Sequence, residues 1–279
     1  MWKTVMRYAD TAALTWIEKK LKKYVVVFFD VFDTLLKRDV AEPTQVFSLL
    51  EARNRIPGFA ESRIKAEISS RSRKTEVTLD DIYADALLKE YAWVKPLEIE
   101  LELKLSRCNT PVKALYDRCV QSSKRIFIIT DMYLPEPAIA AMLKKNGYGH
   151  YERLYVSGYE QASKITGDLF RKALRDNRLR AASVMHIGDN VHKDGFGAMK
   201  AGILPCLIRT GILESKFLYF LNIYKSVWSI KLFHIVSSIN WKICNEMDLT
   251  ICICRFQLDH FIGFNQNLTG CRYNIFLGI

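Results

Sequence analysis

Five short runs of apolar, β-favouring residues limit what this chain can become: Tyr24–Phe29, Arg125–Thr130, Arg153–Val156, Val184–Ile187 and Leu204–Ile208. The first reads YVVVFF, with no polar alternation. A strand of that kind is buried on both faces, as in a parallel sheet covered by helices. Helical stretches separate the later runs: Pro111–Gln121, Pro137–Lys145, Leu169–Asp176 and Gly195–Ala201. The alternation predicts a doubly wound, Rossmann-like α/β sheet whose ligands sit beyond the carboxyl ends of the strands. A leading helix over Asp10–Lys23 carries Ala13, Leu14, Ile17 and Leu21 at helical spacing.

One interval breaks the alternation. Between Asp30 and Arg125 no further strand-like run follows the first turn. Pro43 is expected at the first position of one helix, and Phe59–Lys74 forms a second. Thr78-Leu79-Asp80-Asp81 resembles a capping box before a third, and Lys95–Arg107 forms a fourth. An all-helical insertion of about seventy residues is large enough to bury a small core against the sheet. The expected organisation is a leading helix at 1–23, an α/β core at 24–38 and 109–212, a helical lid at 39–108 and a C-terminal extension at 213–279. In that extension Phe217, Phe220, Leu221, Tyr224, Trp228 and Phe233 lie at helical spacing. They suggest a docked helix, or an interfacial contact through 216–236.

The formal net charge of +11 favours anionic ligands. Part of it is the cluster Lys19, Lys20, Lys22 and Lys23. No zinc-finger spacing or RNA-binding signature accompanies it, so a solvated basic surface is expected and nucleic acid is not. Seven cysteines, an odd number at no zinc spacing, suit free thiols in a reducing compartment. The first residues lack an apolar h-region and nowhere do eighteen apolar residues run together. A cytoplasmic protein without a membrane span is expected, and the glycosylation sequon at Asn267 is then idle.

Four segments at predicted strand ends carry chemistry. Asp30 directly follows the first strand in FDVFDTLL, where a carboxylate can attack phosphorus or carbon. A cap or turn aspartate would look the same in isolation. Thr130 closes the second strand, where a hydroxyl can bond a phosphoryl oxygen; threonine is also common in strands. Lys164, in SKITGDLF, can neutralise phosphoryl charge, although loop lysines are mostly exposed. HIGDNVHKD places Asp189 and Asp194 immediately after the fourth strand, and paired carboxylates there suit Mg²⁺. Asp194 could equally cap a helix starting at Gly195. The small residues that follow have the wrong spacing for a dinucleotide loop.

Asp-x-x-x-Thr, a strand-end Thr, Lys, then Gly-Asp-x-x-x-x-Asp, in that order, resembles the four-motif signature of the haloacid dehalogenase (HAD) superfamily. The resemblance spans roughly Tyr24–Arg209 and includes a helical cap after the first motif. The wording of the segments is similar to a bacterial subgroup often joined to glycosyltransferases of surface polysaccharide synthesis. The resemblance implies that Asp30 is the nucleophile and a metal ligand, with the Phe32 carbonyl and Asp189 as further ligands and Asp194 completing or orienting the Mg²⁺ shell. It also implies that Thr130 binds the phosphoryl group and that Lys164 holds the nucleophile and balances charge.

One position departs from the pattern. Phosphatases of the superfamily usually carry a second aspartate two residues after the nucleophile, as general acid and base; here it is Phe32. Losing such a group costs roughly 10²–10⁴ in rate. Asp33 follows at once, but one step along the chain turns its side chain elsewhere. Dehalogenases of the superfamily also lack that acid, yet lack the acidic pair kept here as Asp189 and Asp194. Two readings stay open. One is a hydrolase of a small phosphorylated metabolite or glycan intermediate, restricted to good leaving groups or assisted by the cap. The other is a weakly catalytic phospho-ligand binding or scaffold module. In the insertion, Arg63, Glu67 and Arg71 share a helix face, as surface ion pairs or with Arg63 anchoring substrate. Tyr133 and His192 adjoin site motifs; Tyr133 is expected to line the pocket and His192 to be a solvent-exposed loop histidine.

Overall fold

The computed structural model describes residues 14–40 and 42–208. The chain divides into two units, Met1–Leu218 and Tyr219–Ile279, and every described residue belongs to the first. The expected helix at 216–236 and the rest of the C-terminal extension lie outside the described residues.

A five-stranded parallel sheet in the order β5-β4-β1-β6-β7 forms the core. Its strands are β1 (Val26–Phe29), β4 (Arg125–Thr130), β5 (Arg153–Val156), β6 (Val184–Gly188) and β7 (Leu204–Leu207). All four residues of β1 are buried. Val27 and Phe29 pack into one apolar cluster with Leu115, Tyr116 and Met142, while Val26 and Phe28 pack into another with Leu169, Phe170 and Ala173. Two covered faces explain the unbroken apolar run, since each buried Val or Phe contributes about 1.5–3 kcal/mol. The strand is shorter than the run: Val25 is 66% exposed, and Tyr24 closes a turn behind the helix α1 (14–21) by bonding Leu21.

The flanking helices are α6 (Thr110–Gln121), α7 (Glu136–Lys145), the one-turn α8 (Ser157–Glu160) and α9 (Asp168–Asp176). The chain fills the sheet from β1 toward β5, then returns to lay down β6 and β7 on the other side. Strand order therefore reverses at β1, and its carboxyl end is the switch point at which doubly wound sheets bind ligands.

The insertion contains α2 (Gln45–Asn54), α3 (Phe59–Arg73), α4 (Leu79–Tyr83), a 3₁₀ segment (Ala86–Val94) and α5 (Lys95–Leu105). The Thr78/Asp81 capping box is present. Pro43 does not open α2, which starts two residues later behind Thr44. The interval is not purely helical either. Its neck is an antiparallel ribbon of β2 (Leu36–Arg38) and β3 (Ser106–Cys108), pairing Leu36 with Cys108 and Arg38 with Ser106. Three-residue strands whose partners lie about seventy residues apart leave no local pattern to read. Residues of the insertion (Phe47, Leu79, Leu101) and of the core (Phe29, Leu115, Met142) belong to one continuous apolar cluster. Among the described residues no helix is long and apolar enough to cross a membrane.

Candidate active site at the switch point

Asp30 follows β1, and its amide still bonds Ile187 O of β6 at 2.9 Å, so the ladder fixes its position. Its carboxyl is 6% exposed and meets Lys164, which is 1% exposed and reaches in from the loop before α9. Lys164 Nζ donates to Asp30 Oδ1 at 2.7 Å and to Ile129 O at 3.3 Å, and it pairs with Asp194 Oδ1. An ammonium has three donors, so these three contacts engage it fully. Two glycines make the approach possible. A Cβ on Gly197 would lie 2.0 Å from Lys164 O, and one on Gly188 would lie 2.3 Å from Asp194 Cγ.

Asp194 does not cap a helix at Gly195. It sits inside a π-helical turn, Val191–Phe196, whose cap is Asn190: the Asn190 side chain accepts from the amides of His192 and Lys193, each at 3.0 Å. The wide turn aims Asp194 inward. Its Oδ1 takes Lys164 and, at 2.9 Å, His186 Nε2; its Oδ2 accepts the Asn190 amide at 2.9 Å. A carboxylate only accepts, so His186 must present Nε2–H here. His186 was not foreseen as part of the site; its signal is a lone polar residue inside an apolar strand.

Oxygens of Asp30, Asp189 and Asp194 lie within 4.8 Å of one another. Burial pushes the Asp30 carboxyl up to about 8, with Lys164 opposing and the charges of Asp194 and Asp189 adding to the rise. Burial works the same way on Asp194, but Lys164 and His186 outweigh it and hold that carboxyl below the usual range. Three carboxyl groups gathered beside one ammonium supply hard oxygen donors. That donor set fits Mg²⁺.

Thr130, at the end of β4, is 2% exposed. Asp131 follows it, with Oδ2 on Lys193 Nζ at 2.8 Å and Oδ1 buried without a hydrogen-bond partner. Neither Asp131 nor Lys193 is marked by local sequence, because their pairing joins two loops. Phe32 is half-buried, and the Arg38 guanidinium lies 3.9 Å above its ring while donating to Glu102 at 2.8 Å. Asp33 is exposed and turns through φ 61°. His192 is exposed, as expected.

Arg63 is not a surface residue. It is fully buried, clasps Glu98 through Nε (2.9 Å) and Nη2 (2.8 Å), and bonds Glu67 at 3.1 Å. Glu98 also accepts from the Tyr83 hydroxyl at 2.8 Å. The guanidinium lies 4.9 Å from the ring centre of Tyr133, which is itself 7% exposed. The spacing of α3 showed Glu67 but could not show Glu98, which arrives on α5.

A family model described as HAD-hydrolase-like matches residues 162–220, a stretch that contains Lys164, Asp189 and Asp194. No curated protein matches the chain. Among solved structures the chain is similar to the HAD-hydrolase YfnB from Bacillus subtilis bound to magnesium, with 20% identity, a TM-score of 0.49 and coverage of 65% of this chain and 86% of that one. It is also similar to CbbY from Rhodobacter sphaeroides in complex with phosphate (16% identity, TM-score 0.47, coverage 64% and 84%). A third is 2-haloacid dehalogenase from Pseudomonas syringae pv. Tomato DC3000 (19%, 0.45, 64% and 84%). Over that stretch the chain is similar to HAD-like hydrolases.

Proposed function

We propose that this chain is a Mg²⁺-dependent phosphohydrolase acting on a small phosphorylated metabolite or glycan intermediate through an aspartyl-phosphate at Asp30. The carrying observation is the convergence of Asp30, Lys164, Asp189 and Asp194 at the strand-order switch point. Asp30, Asp189, Asp194 and the Phe32 carbonyl would hold the metal. When bound, Mg²⁺ supplies charge neutralisation and orientation for the phosphoryl group.

The chain's own residues divide the remaining work. Asp30 attacks, and Lys164 positions its carboxyl and opposes the burial that raises it. With its three donors engaged, Lys164 meets the phosphoryl group only by giving up one of them. Thr130 is therefore the readier hydroxyl partner for phosphoryl oxygens. The helical insertion acts as the cap that keeps water out. Tyr133 lines the pocket, and Arg63 serves it by bracing the Tyr133 ring rather than by touching substrate. We place the protein in the cytoplasm, where Cys108, Cys119 and Cys206 remain free thiols; a link to surface polysaccharide synthesis is part of the same reading.

The test is Mg²⁺-dependent release of phosphate from nitrophenyl phosphate, abolished in Asp30→Asn. No turnover by wild type, or full turnover by the variant, overturns the reading. A phospho-ligand binding module is the second reading, favoured by the Arg38-covered Phe32 where an acid is expected. It requires saturable phosphate binding with no release from any ester.

A further inference from the structure

The turn between α3 and α4 brings a carboxyl of the insertion down onto the strand ends. Glu76 is 9% exposed and has Ser157 and Ser163 as hydrogen-bonding neighbours, Ser157 being shared with Asp131. Ser157 directly follows β5, and Ser163 directly precedes Lys164, the partner of Asp30. The turn is seated firmly. Leu79 N bonds Tyr133 O at 2.8 Å, and Val77 O lies where a Cβ on Gly158 would be only 2.3 Å away. Glu76 also feels the charge of Asp131, the residue after Thr130 and the owner of a buried carboxyl oxygen without a partner.

The charged groups that act on Glu76 are Asp131 from β4's end and Arg71 from α3. Burial and then Asp131 raise its carboxyl, against Ser157, Ser163 and Arg71. Asp131 goes the other way: burial would raise it, but Lys193 and Lys164 outweigh that and keep it ionised. Two neighbouring carboxyls pushed in opposite directions are the arrangement that separates an acid from a base.

We propose that Glu76 is the general acid of this site, delivered by the cap in place of the side chain missing at Phe32. The inference rests on the hydrolase reading above. As the Asp30 oxygen–phosphorus bond forms and the bond to the leaving oxygen breaks, the Glu76 carboxyl gives its proton to that oxygen, releasing an alcohol. The resulting Glu76 carboxylate then takes a proton from the water that attacks the aspartyl-phosphate, restoring the acid and freeing Asp30 and phosphate. The consequence is a substrate class: alkyl phosphates, whose alkoxide leaving groups need a proton, become accessible.

The experiment uses the full chain with Mg²⁺ and a series of substituted phenyl phosphates, from nitrophenol to unsubstituted phenol as leaving group. Wild-type rates should vary little across the series, while Glu76→Gln should lose on the order of 10²-fold on phenyl phosphate and almost nothing on the nitrophenyl ester. Ser163→Ala keeps the acid but removes a bond that favours its ionised form, so the alkaline limb of kcat/KM should move to higher pH. Equal losses across the series, or none, together with an unmoved limb, would remove Glu76 from the mechanism while leaving the hydrolase reading intact. If wild type turns over no member of the series, both readings fall.

Discussion

Lys164 and Arg63 are both wholly buried cations held by carboxylates, and they do opposite things with them. Arg63 sits among Glu98, Glu67 and the rings of Phe47, Tyr83 and Tyr133. Its planar fork is matched edge to edge by Glu98, which suits a guanidinium. Lys164 is a point charge shared by Asp30 and Asp194, with Asp189 close by. Around Arg63 the charges pair off within the insertion and close the region. Around Lys164 the acids outnumber the cation, and the excess suits a divalent ion, whose own charge would then draw a phosphoryl group. Buried charge alone does not mark a site; unbalanced buried charge does.

The largest effect that can break this comparison is chemical. Asp30→Asn should cut turnover by about 10⁴-fold or more, as loss of a nucleophile does elsewhere, measured as phosphate release with Mg²⁺. The same variant should fold at least as stably as wild type above pH 8, because it discards a carboxylate that burial disfavours; a lower unfolding midpoint there would contradict the charge argument.

Next comes the response to metal. Removing one partner of a buried pair costs about 3–5 kcal/mol, so Arg63→Met and Lys164→Met should both lower the urea midpoint. Mg²⁺ should raise the Arg63→Met midpoint by the same increment as wild type, and that of Lys164→Met by more, since the ion replaces the lost ammonium. Equal increments in both would mean that the two cations are equivalent.

A gentler test is pH. In metal-free protein the folded state keeps the Asp30 proton up to about pH 8, whereas the unfolded chain releases it near pH 3.9. Between those values the folded state binds more protons, so stability falls as pH rises through the window. Unfolding midpoints with a chelator should show that slope, and Asp30→Asn should flatten it. The smallest effect is expected at Phe32→Asp. It trades a ring contact with Arg38, about 0.5–1 kcal/mol at an exposed site, for an ion pair, and with Glu76 as acid it should gain little rate on phenyl phosphate. A large gain would show that the acid was missing after all.

The same contrast explains what could be read in advance. Lys164, Asp30 and Asp194 announce themselves because each follows a strand or a small-residue turn, and strand ends are legible: Arg125–Thr130 and Arg153–Val156 match residue for residue. Local pattern fails where the partner is remote. Arg63 reads as a surface residue from α3 alone, because Glu98 lies thirty-five positions away. The β2–β3 ribbon, the Asp131–Lys193 pair and the descent of Glu76 onto Ser157 and Ser163 are all meetings of distant segments. Even nearby, the cap of the turn after β6 was misplaced by four residues: a π-helical turn holds one residue more than a normal one, and Asn190 reaches forward where Asp194 was expected to.

That extra residue has a consequence for how the loop can change over evolutionary time. Asp194 faces the interior beside Lys164, while its neighbour Lys193 reaches outward to Asp131. Deleting one residue between Gly188 and Asp194 would tighten the turn and slide the register by a step, presenting Gly195 where a carboxylate now stands. Lys164 and His186 would lose their shared carboxylate without any change in the identity of the remaining residues. Substitutions can drift at the outward positions Val191 and His192; a change of length cannot.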